Sequence, residues 1–474
     1  MKSLKPLHWA GLTLGVALAL FAIYSHLGYF RNVSFLGGML LIEVIIASLW
    51  KYEQRFIVLL MVVFAWAGMN VPLQSAGTIG RWVVLASGAA VGFIIWTRAP
   101  QASFRSMHLI AFFCVSAAFV SATVSSFTQM ASLKALSLLL LFMYCSSGAR
   151  LAAAGRENRF FPALLIGIEI TVYGTAICYF LLGTPIWGNP NSLGAAMSVI
   201  CYPILLWGWL AGDGPLRELR RLTALILCSY LILFSMARAG IVAMVIVTLV
   251  LFLGLHQHRL LAKTIGMVLA LVAVTGMLAP GTLNRSLGSF KDAVLYKGHK
   301  DAGILGSRRT PWEKSLAEIK EHPLFGTGYG TSPTGEEAGV YLPNFTSSAE
   351  TEREHGSSYV TIAEWVGLLG VMPFVVLLAL TLGNLRKVCV WMNRTADPRH
   401  YSIPIAMVVL SGLVHANFED WLFAAGSYLS LFFWVCAFLL ADMVPDKDAI
   451  ASVRAARRSS RPMLTNFGAV APNR

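Results

Sequence analysis

The sequence predicts an all-α integral membrane protein with about 12–14 transmembrane helices and one large extracytoplasmic loop bearing an amphipathic helix. Three observations lead there. First, 57% of the 474 residues are hydrophobic and only 13% are charged, with a mean hydropathy of +0.67. Soluble domains carry roughly 25% charged residues, so this balance selects the bilayer as solvent. Second, apolar runs of about 18 or more residues recur along the chain, and about 20 residues span the hydrocarbon core as a helix. Third, basic residues fall in every second connection between those runs, which is the pattern of a topology signal.

In chain order the apolar runs lie near 8–25, 34–50, 56–73, 82–97, 107–126, 131–147, 161–183, 191–211, 221–237, 239–256, 261–280, 357–383, 402–419 and 421–442. Two pairs, 221–237 with 239–256 and 402–419 with 421–442, are nearly continuous. Tight hairpins explain such pairs, and so do re-entrant or tilted segments. The N-terminal run follows Lys2 and Lys5 without a convincing cleavage site, so it reads as a retained first span.

The basic connections carry Lys51 and Arg55, Arg98 and Arg105, Arg150, Arg156 and Arg159, Arg217, Arg220 and Arg221, Arg259 and Lys263, then Arg386, Lys387, Arg394 and Arg399. The intervening connections hold mainly Arg31 and Arg81. Cytoplasmic loops hold the excess of Lys and Arg, so both termini are expected in the cytoplasm. The loop 282–356 is then extracytoplasmic. The net charge of +14 does not point to nucleic acid, because the positive residues sit singly or in pairs between apolar runs. Three regions result: N-terminal transmembrane helices at 1–184, a membrane domain with the long loop at 185–442, and a basic tail at 443–474 expected to be disordered. The seven cysteines show no CxxC spacing and read as small core residues rather than a disulfide framework or a metal site.

Chemistry concentrates in Ser307–Gly370, which gathers arginines, acids, a histidine, glycines and serines within an otherwise apolar chain. Pro311 reads as the start of a helix, and Trp312, Leu316, Ile319 and Pro323 mark its apolar face and its end. Arg308 and Arg309 precede it, near its electropositive end, and a guanidinium fork suits phosphate or pyrophosphate oxygens. Gly326, Gly328 and Gly330 follow a helix rather than a strand, the wrong order for a dinucleotide fingerprint, and read as a tight turn. Glu354 and His355 are candidate general bases, with Ser357 and Ser358 beside them as candidate substrate contacts. Glu419 and Asp420, together with His415, end another span at the same level and can serve as counter-charges.

Two further features share the outer face. Trp187-Gly188-Asn189-Pro190-Asn191-Ser192 reads as a turn opening a helix at Asn191, whose N-terminus caps itself or holds an anion. Arg238, within Ser235-Met236-Ala237-Arg238-Ala239-Gly240, is a charge at the membrane edge that calls for a substrate or a counter-charge. There is no HExxH, paired CxxC, Walker loop, DxD pair or convincing GxSxG. No metal and no cofactor are expected.

The order SRRTPW…LAEIKEHPLFGTGYG, a long outer loop, then a polar cluster entering YVTIAEWVGLLG resembles the O-antigen ligase and polymerase superfamily. SMARAG is similar to its outer-face arginine motif and WGNPNSLG to its GNPN turn, so the resemblance covers roughly 185–425. It implies a metal-independent inner-membrane enzyme with one large periplasmic loop. Such an enzyme moves glycan from an undecaprenyl-pyrophosphate carrier to lipid A-core, a growing chain or another acceptor. Arg238 and Arg308 would hold the pyrophosphate, with Arg309 as the alternative to Arg308, and a base at the end of the loop would activate the acceptor hydroxyl.

One departure bears on that base. The family's usual histidine aligns with Gly356, and His355 stands one residue early. An E-x-G-S-S version of the cluster fits instead, so Glu354 and His355 both stay open as the base. The leading expectation is an O-antigen ligase-type glycosyltransferase, with an O-antigen or exopolysaccharide polymerase as the alternative. A polytopic transporter or lipid flippase is the alternative from another class. The clustering of polar groups at one face and the lack of internal repeats count against it.

Overall fold

Among the described residues every regular element is helical. In hydrocarbon a helix satisfies its own backbone groups, whereas an open sheet edge cannot. The computed structural model describes residues 6–98, 105–212, 214–266, 270, 306–332 and 355–445. Most of the expected span 261–280, most of the loop, Glu354 and the tail beyond 445 lie outside the described residues.

The helices are Pro6–His26 (α1), Val33–Leu49 (α2), Phe56–Gly68 (α3), Gln74–Arg98 (α4), Ser106–Val124 (α5), Thr128–Ser146 (α6), Gly148–Ala153 (α7) and Glu157–Ala176 (α8). They are followed by Pro190–Ala195 (α9), Tyr202–Ala211 (α10), Pro215–Phe234 (α11), Arg238–Gly254 (α12), Gly306–Glu321 (α13), Ser358–Thr395 (α14), Ser402–His415 (α15) and Tyr428–Met443 (α16). Wider π turns at Ile177–Leu181 and Ala196–Cys201 continue α8 and join α9 to α10, giving the rods Glu157–Leu181 and Pro190–Ala211.

Six helices among the described residues are long and apolar enough to cross a membrane, and a bent pair at Phe35–Leu49 and Glu53–Gly68 raises this to seven. The shortfall against the sequence count has local causes. Helices α12, α15 and α16 have 14 to 17 residues, and the first seven residues of α11 include Arg217, Glu218, Arg220 and Arg221.

The rod Pro190–Ala211 is enclosed by protein along almost all its length, whereas α14 shows most of its surface outward. Helices α15 and α16 join that rod at the centre, where Leu429–Leu440 of α16 is buried without interruption. The near-continuous pairs resolve as breaks between separate helices. Met236, at φ +52°, turns the chain between α11 and α12, and residues 416–427 separate α15 from α16.

The two ends of the bundle differ in chemistry. At one end, buried Arg150 forms a two-point ion pair with Asp442 and donates to His108. Tyr401 reaches Asn158 and Trp207 reaches the Pro398 carbonyl there. Connections rich in basic residues gather at this end. At the other end lie the tops of α5, α6, α9, α12 and α14, and residues 322–332 bind α5, α6 and α14 to one another.

That binding is built into the backbone. Helix α14 breaks at Gly367, where φ is +68°, so carbonyls and amides around the break lose their partners within the helix. Thr327 N–H donates to the Glu364 carbonyl at 3.0 Å and Gly328 N–H to the Trp365 carbonyl at 3.2 Å. In return Leu368 N–H donates to Pro323 O at 2.8 Å and Leu369 N–H to Leu324 O at 3.3 Å. The glycine turn therefore completes the hydrogen bonding of a broken spanning helix. Ser125 at the end of α5 bonds Thr331, and Lys134 of α6 donates to the Gly330 carbonyl.

Candidate active site

Among the described residues α13 already runs from Gly306, five residues before Pro311. Pro311 therefore does not open the helix as expected, and both arginines lie within it. At 100° per residue, consecutive arginines cannot face the same way. Arg308 points inward and is buried, with its Nη2 donating to Glu419 Oε1 at 2.6 Å. Arg309 is largely exposed and pairs with Glu313 at 2.8 Å on its own helix. The inward stripe is Arg308, Trp312, Ser315 and Ile319, at helical spacing. Leu316, expected on the apolar face, is exposed, while Ser315 is fully buried in its place.

Gly356 explains how Arg308 fits. Its φ is +73°, and a Cβ there would stand 3.0 Å from Arg308 Cδ and 3.3 Å from its Nη1. The Trp312 indole nitrogen would lie 3.5 Å from the same point. Gly356→Ala is expected to displace the guanidinium and cut the activity of the site by about 10- to 100-fold, since misplacement by about 1 Å has effects of that order. Activity measured at equal membrane protein level checks this, and unchanged activity would remove Gly356 from the site.

Arg238 opens α12 and is half-buried. It is positioned by contact between two motifs that are far apart in sequence. A Cβ on Gly194 would lie 2.4 Å from Ala237 Cβ, and one on Gly240 would lie 3.1 Å from Gly194 O. The helix after the Asn-Pro turn and the Met236 break therefore fit only as a glycine-packed unit. Helix α9 begins at Pro190 rather than Asn191, with Asn189 as its cap, accepting from Ser192 N–H at 2.8 Å. Asn191 is half-buried in the first turn. Arg238 and Arg308 lie within each other's electrostatic field. The structure thus brings together the two arginines that the sequence keeps about 70 residues apart.

His355 lies beside this pair and is 1% exposed. Its Nδ1 is 3.2 Å from Asp420 Oδ2, its backbone N–H donates to the same oxygen at 3.1 Å, and its Nε2 is 2.8 Å from Ser332 Oγ. Ser332 Oγ in turn donates to Glu364 Oε1 at 2.8 Å, and His355 Nε2 is 3.3 Å from that oxygen. Asp420, His355 and Ser332 thus fall in the order of a nucleophile triad. The proton of Ser332 is directed to Glu364, however, and Ser332 and Glu364 are both 0% exposed. Such a serine cannot meet a substrate in this arrangement. Burial by itself lowers the pKa of His355, but hydrogen bonds and charges from Asp420 and Glu364 outweigh it and raise the value above the ordinary one. Burial pushes Asp420 upward, and the hydrogen bonds and charge of His355 more than reverse this, leaving it below the usual carboxylate range.

The serines divide. Ser358 Oγ donates to Glu419 O at 2.6 Å and accepts from Leu422 N–H at 3.1 Å, stitching α14 to the segment before α16. Ser357 is the N-cap residue of α14 and is buried. Glu419 and Asp420 therefore serve different partners, Arg308 and His355. Ser332 and Glu364 were not singled out from the sequence. A lone carboxylate in the apolar run after Ser358 is the signal that could have marked Glu364. Glu318, Glu321 and His322 bring three ligand atoms within 4.8 Å of one another. They lie at the far end of α13, about 15 to 20 Å along the axis from Arg308, and so outside this site.

An all-helical membrane protein with paired arginines at one end of its bundle is the class defined by fold and site. Residues 223–375 match the family model described as O-Antigen ligase, which supports the resemblance to the O-antigen ligase and polymerase superfamily. The match runs from α11 into α14 and takes in Arg238, Arg308, Ser332, His355 and Glu364, ending before Glu419 and Asp420. No curated protein matches the chain. Family and spanning helices together support a membrane glycosyltransferase of the ligase or polymerase type.

Proposed function

We propose that the protein is an O-antigen ligase-type glycosyltransferase of the bacterial inner membrane. It transfers glycan from an undecaprenyl-pyrophosphate carrier to lipid A-core or a similar acceptor. The convergence of half-buried Arg238 and buried Arg308 from separate segments to within electrostatic range of each other carries this reading. Guanidinium groups in a water-poor site bind phosphate oxygens through paired N–H donors. Their attraction grows as negative charge develops on the departing pyrophosphate.

In the reaction an acceptor hydroxyl oxygen bonds to the anomeric carbon while the bond from that carbon to the pyrophosphate oxygen breaks. The hydroxyl proton passes to a base from the end of the loop, Glu354 or His355, and the electron pair leaves with the carrier pyrophosphate. Inversion at the anomeric carbon and independence from metals follow from the family resemblance. The positive-inside pattern puts the basic end and both termini in the cytoplasm and this site on the periplasmic side.

A polymerase of the same superfamily would use the same donor clamp, and deletion of the gene separates the two readings. A ligase deletion removes long glycan from lipid A-core and leaves carrier-linked polymer at full length. Shortened carrier-linked polymer would establish the polymerase reading instead.

A further inference from the structure

We infer that His355 is a positioning residue, held as a cation between Asp420 and Glu364, and does not accept the acceptor proton. This rests on the transfer reading above and assigns a role within the same site. The argument is one of hydrogen-bond direction. An ionised Asp420 can only accept, so the Nδ1 that meets its Oδ2 at 3.2 Å carries a hydrogen. With Glu364 ionised as well, its Oε1 can only accept, so Ser332 gives its hydrogen to that oxygen and turns a lone pair toward His355, and Nε2 at 2.8 Å also carries a hydrogen. With hydrogens on both nitrogens the ring is an imidazolium and has no lone pair for a proton.

The ring is also out of reach of an acceptor, being 1% exposed. The groups that meet it are Asp420, Ser332, Glu364 and the Trp365 ring, which lies edge-on at 5.8 Å. Beyond them stand the Arg308–Glu419 pair and Lys134, the latter bound to the Gly330 carbonyl.

The cation ties three segments together. Ser332 ends the glycine turn, Glu364 belongs to α14 just before its break, and Asp420 follows Glu419, the partner of Arg308. Through Asp420 the imidazolium fixes the chain that presents Glu419 to Arg308. Without this positive charge the fully buried Glu364 would carry an uncompensated desolvation cost, and it would repel the partly exposed Asp420.

A charge-balanced pair of substitutions tests the inference. His355→Gln leaves Asp420 and Glu364 without their cation. It is expected to lower the melting temperature of the purified protein in detergent and, by letting the site shift, to cut transfer by about 100-fold. Adding Glu364→Gln removes one of the two negative charges, and is expected to restore the melting temperature and recover transfer at least tenfold. A base cannot be restored by changing its partner. Recovery of melting temperature without recovery of transfer would therefore make His355 the proton acceptor and overturn the inference. Recovery of neither, or no effect of His355→Gln, would also overturn it.

A pH series gives a second readout. The raised value of His355 stabilises the fold below its unfolded value of about 6.5, and this contribution is lost as pH rises through the folded value. The wild-type melting temperature should fall over that rise, and the fall should be absent from His355→Gln. Because the melting measurements need no glycan, they test the imidazolium even if the protein proves to transfer nothing.

Discussion

Arg308→Lys is expected to lower glycan transfer by about 100- to 1,000-fold, the effect of losing one well-placed donor to developing negative charge. Lysine keeps the positive charge and can still meet Glu419, so folding should change little. It cannot present two parallel N–H groups to a phosphate, because its ammonium is a compact point charge. Arg238→Lys is expected to have a comparable effect. The double variant should lose less than the product of the two, since both groups serve one ligand. Arg309→Ala is the internal control. It stands one residue away with its side chain exposed and paired to Glu313, so transfer should remain near normal. Measurement of transfer at matched membrane abundance distinguishes these outcomes, and equal losses at Arg308 and Arg309 would refute the inward assignment of Arg308.

The largest effect on stability is expected at the splice between the glycine turn and α14. A Cβ on Gly326 would stand 2.4 Å from the carbonyl oxygens of both Glu364 and Trp365, and one on Gly367 would stand 2.4 Å from Leu324 O. These neighbours are backbone, and both residues have positive φ, so neither site can relax by moving a side chain. Gly326→Ala and Gly367→Ala should each destabilise the protein by about 2–4 kcal/mol, combining left-handed backbone strain with overpacking. Gly167→Ala in α8, where a Cβ meets nothing within 4 Å, should instead stabilise by about 0.5–1 kcal/mol through helix propensity. Thermal unfolding in detergent checks the contrast. A Gly326→Ala protein as stable as wild type would mean that the splice does not hold α14 together.

The parts of this molecule readable from sequence are those governed by solvent and charge. Apolar runs identify helices because lipid demands internally satisfied backbone. Alternating basic connections identify the two ends, which the structure separates with Arg150 at one and Arg308 at the other. Arg238 could be selected because charge at the membrane edge is costly without a purpose, and Arg308 with Arg309 because a guanidinium near a helix N-terminus suits phosphate oxygens. The choice between Arg308 and Arg309 was not readable. It depends on which face of α13 each arginine takes, and Pro311 misleads because proline is favoured in a first turn yet the helix already runs from Gly306, five residues earlier. Likewise Asn189 rather than Asn191 caps α9, a shift of two residues that only the backbone reveals.

The role of His355 was less accessible still. A histidine beside a glutamate looks like a base on sequence alone, whereas its hydrogen-bond partners come from Ser332, Glu364 and Asp420. These residues are separated by up to 88 positions, and no local pattern joins them. Gly356, where the family pattern has its histidine, acquires a reason only when Arg308 is seen crossing its open face.

The most direct test of the donor clamp uses purified protein in lipid with a polyprenyl-pyrophosphate-linked glycan and an acceptor. Free polyprenyl pyrophosphate and the new glycoside are measured together. The wild-type protein should release both in equal amounts, and the Arg238→Lys/Arg308→Lys variant should release neither at a measurable rate while melting at the wild-type temperature. Near-normal release by that variant would contradict the account.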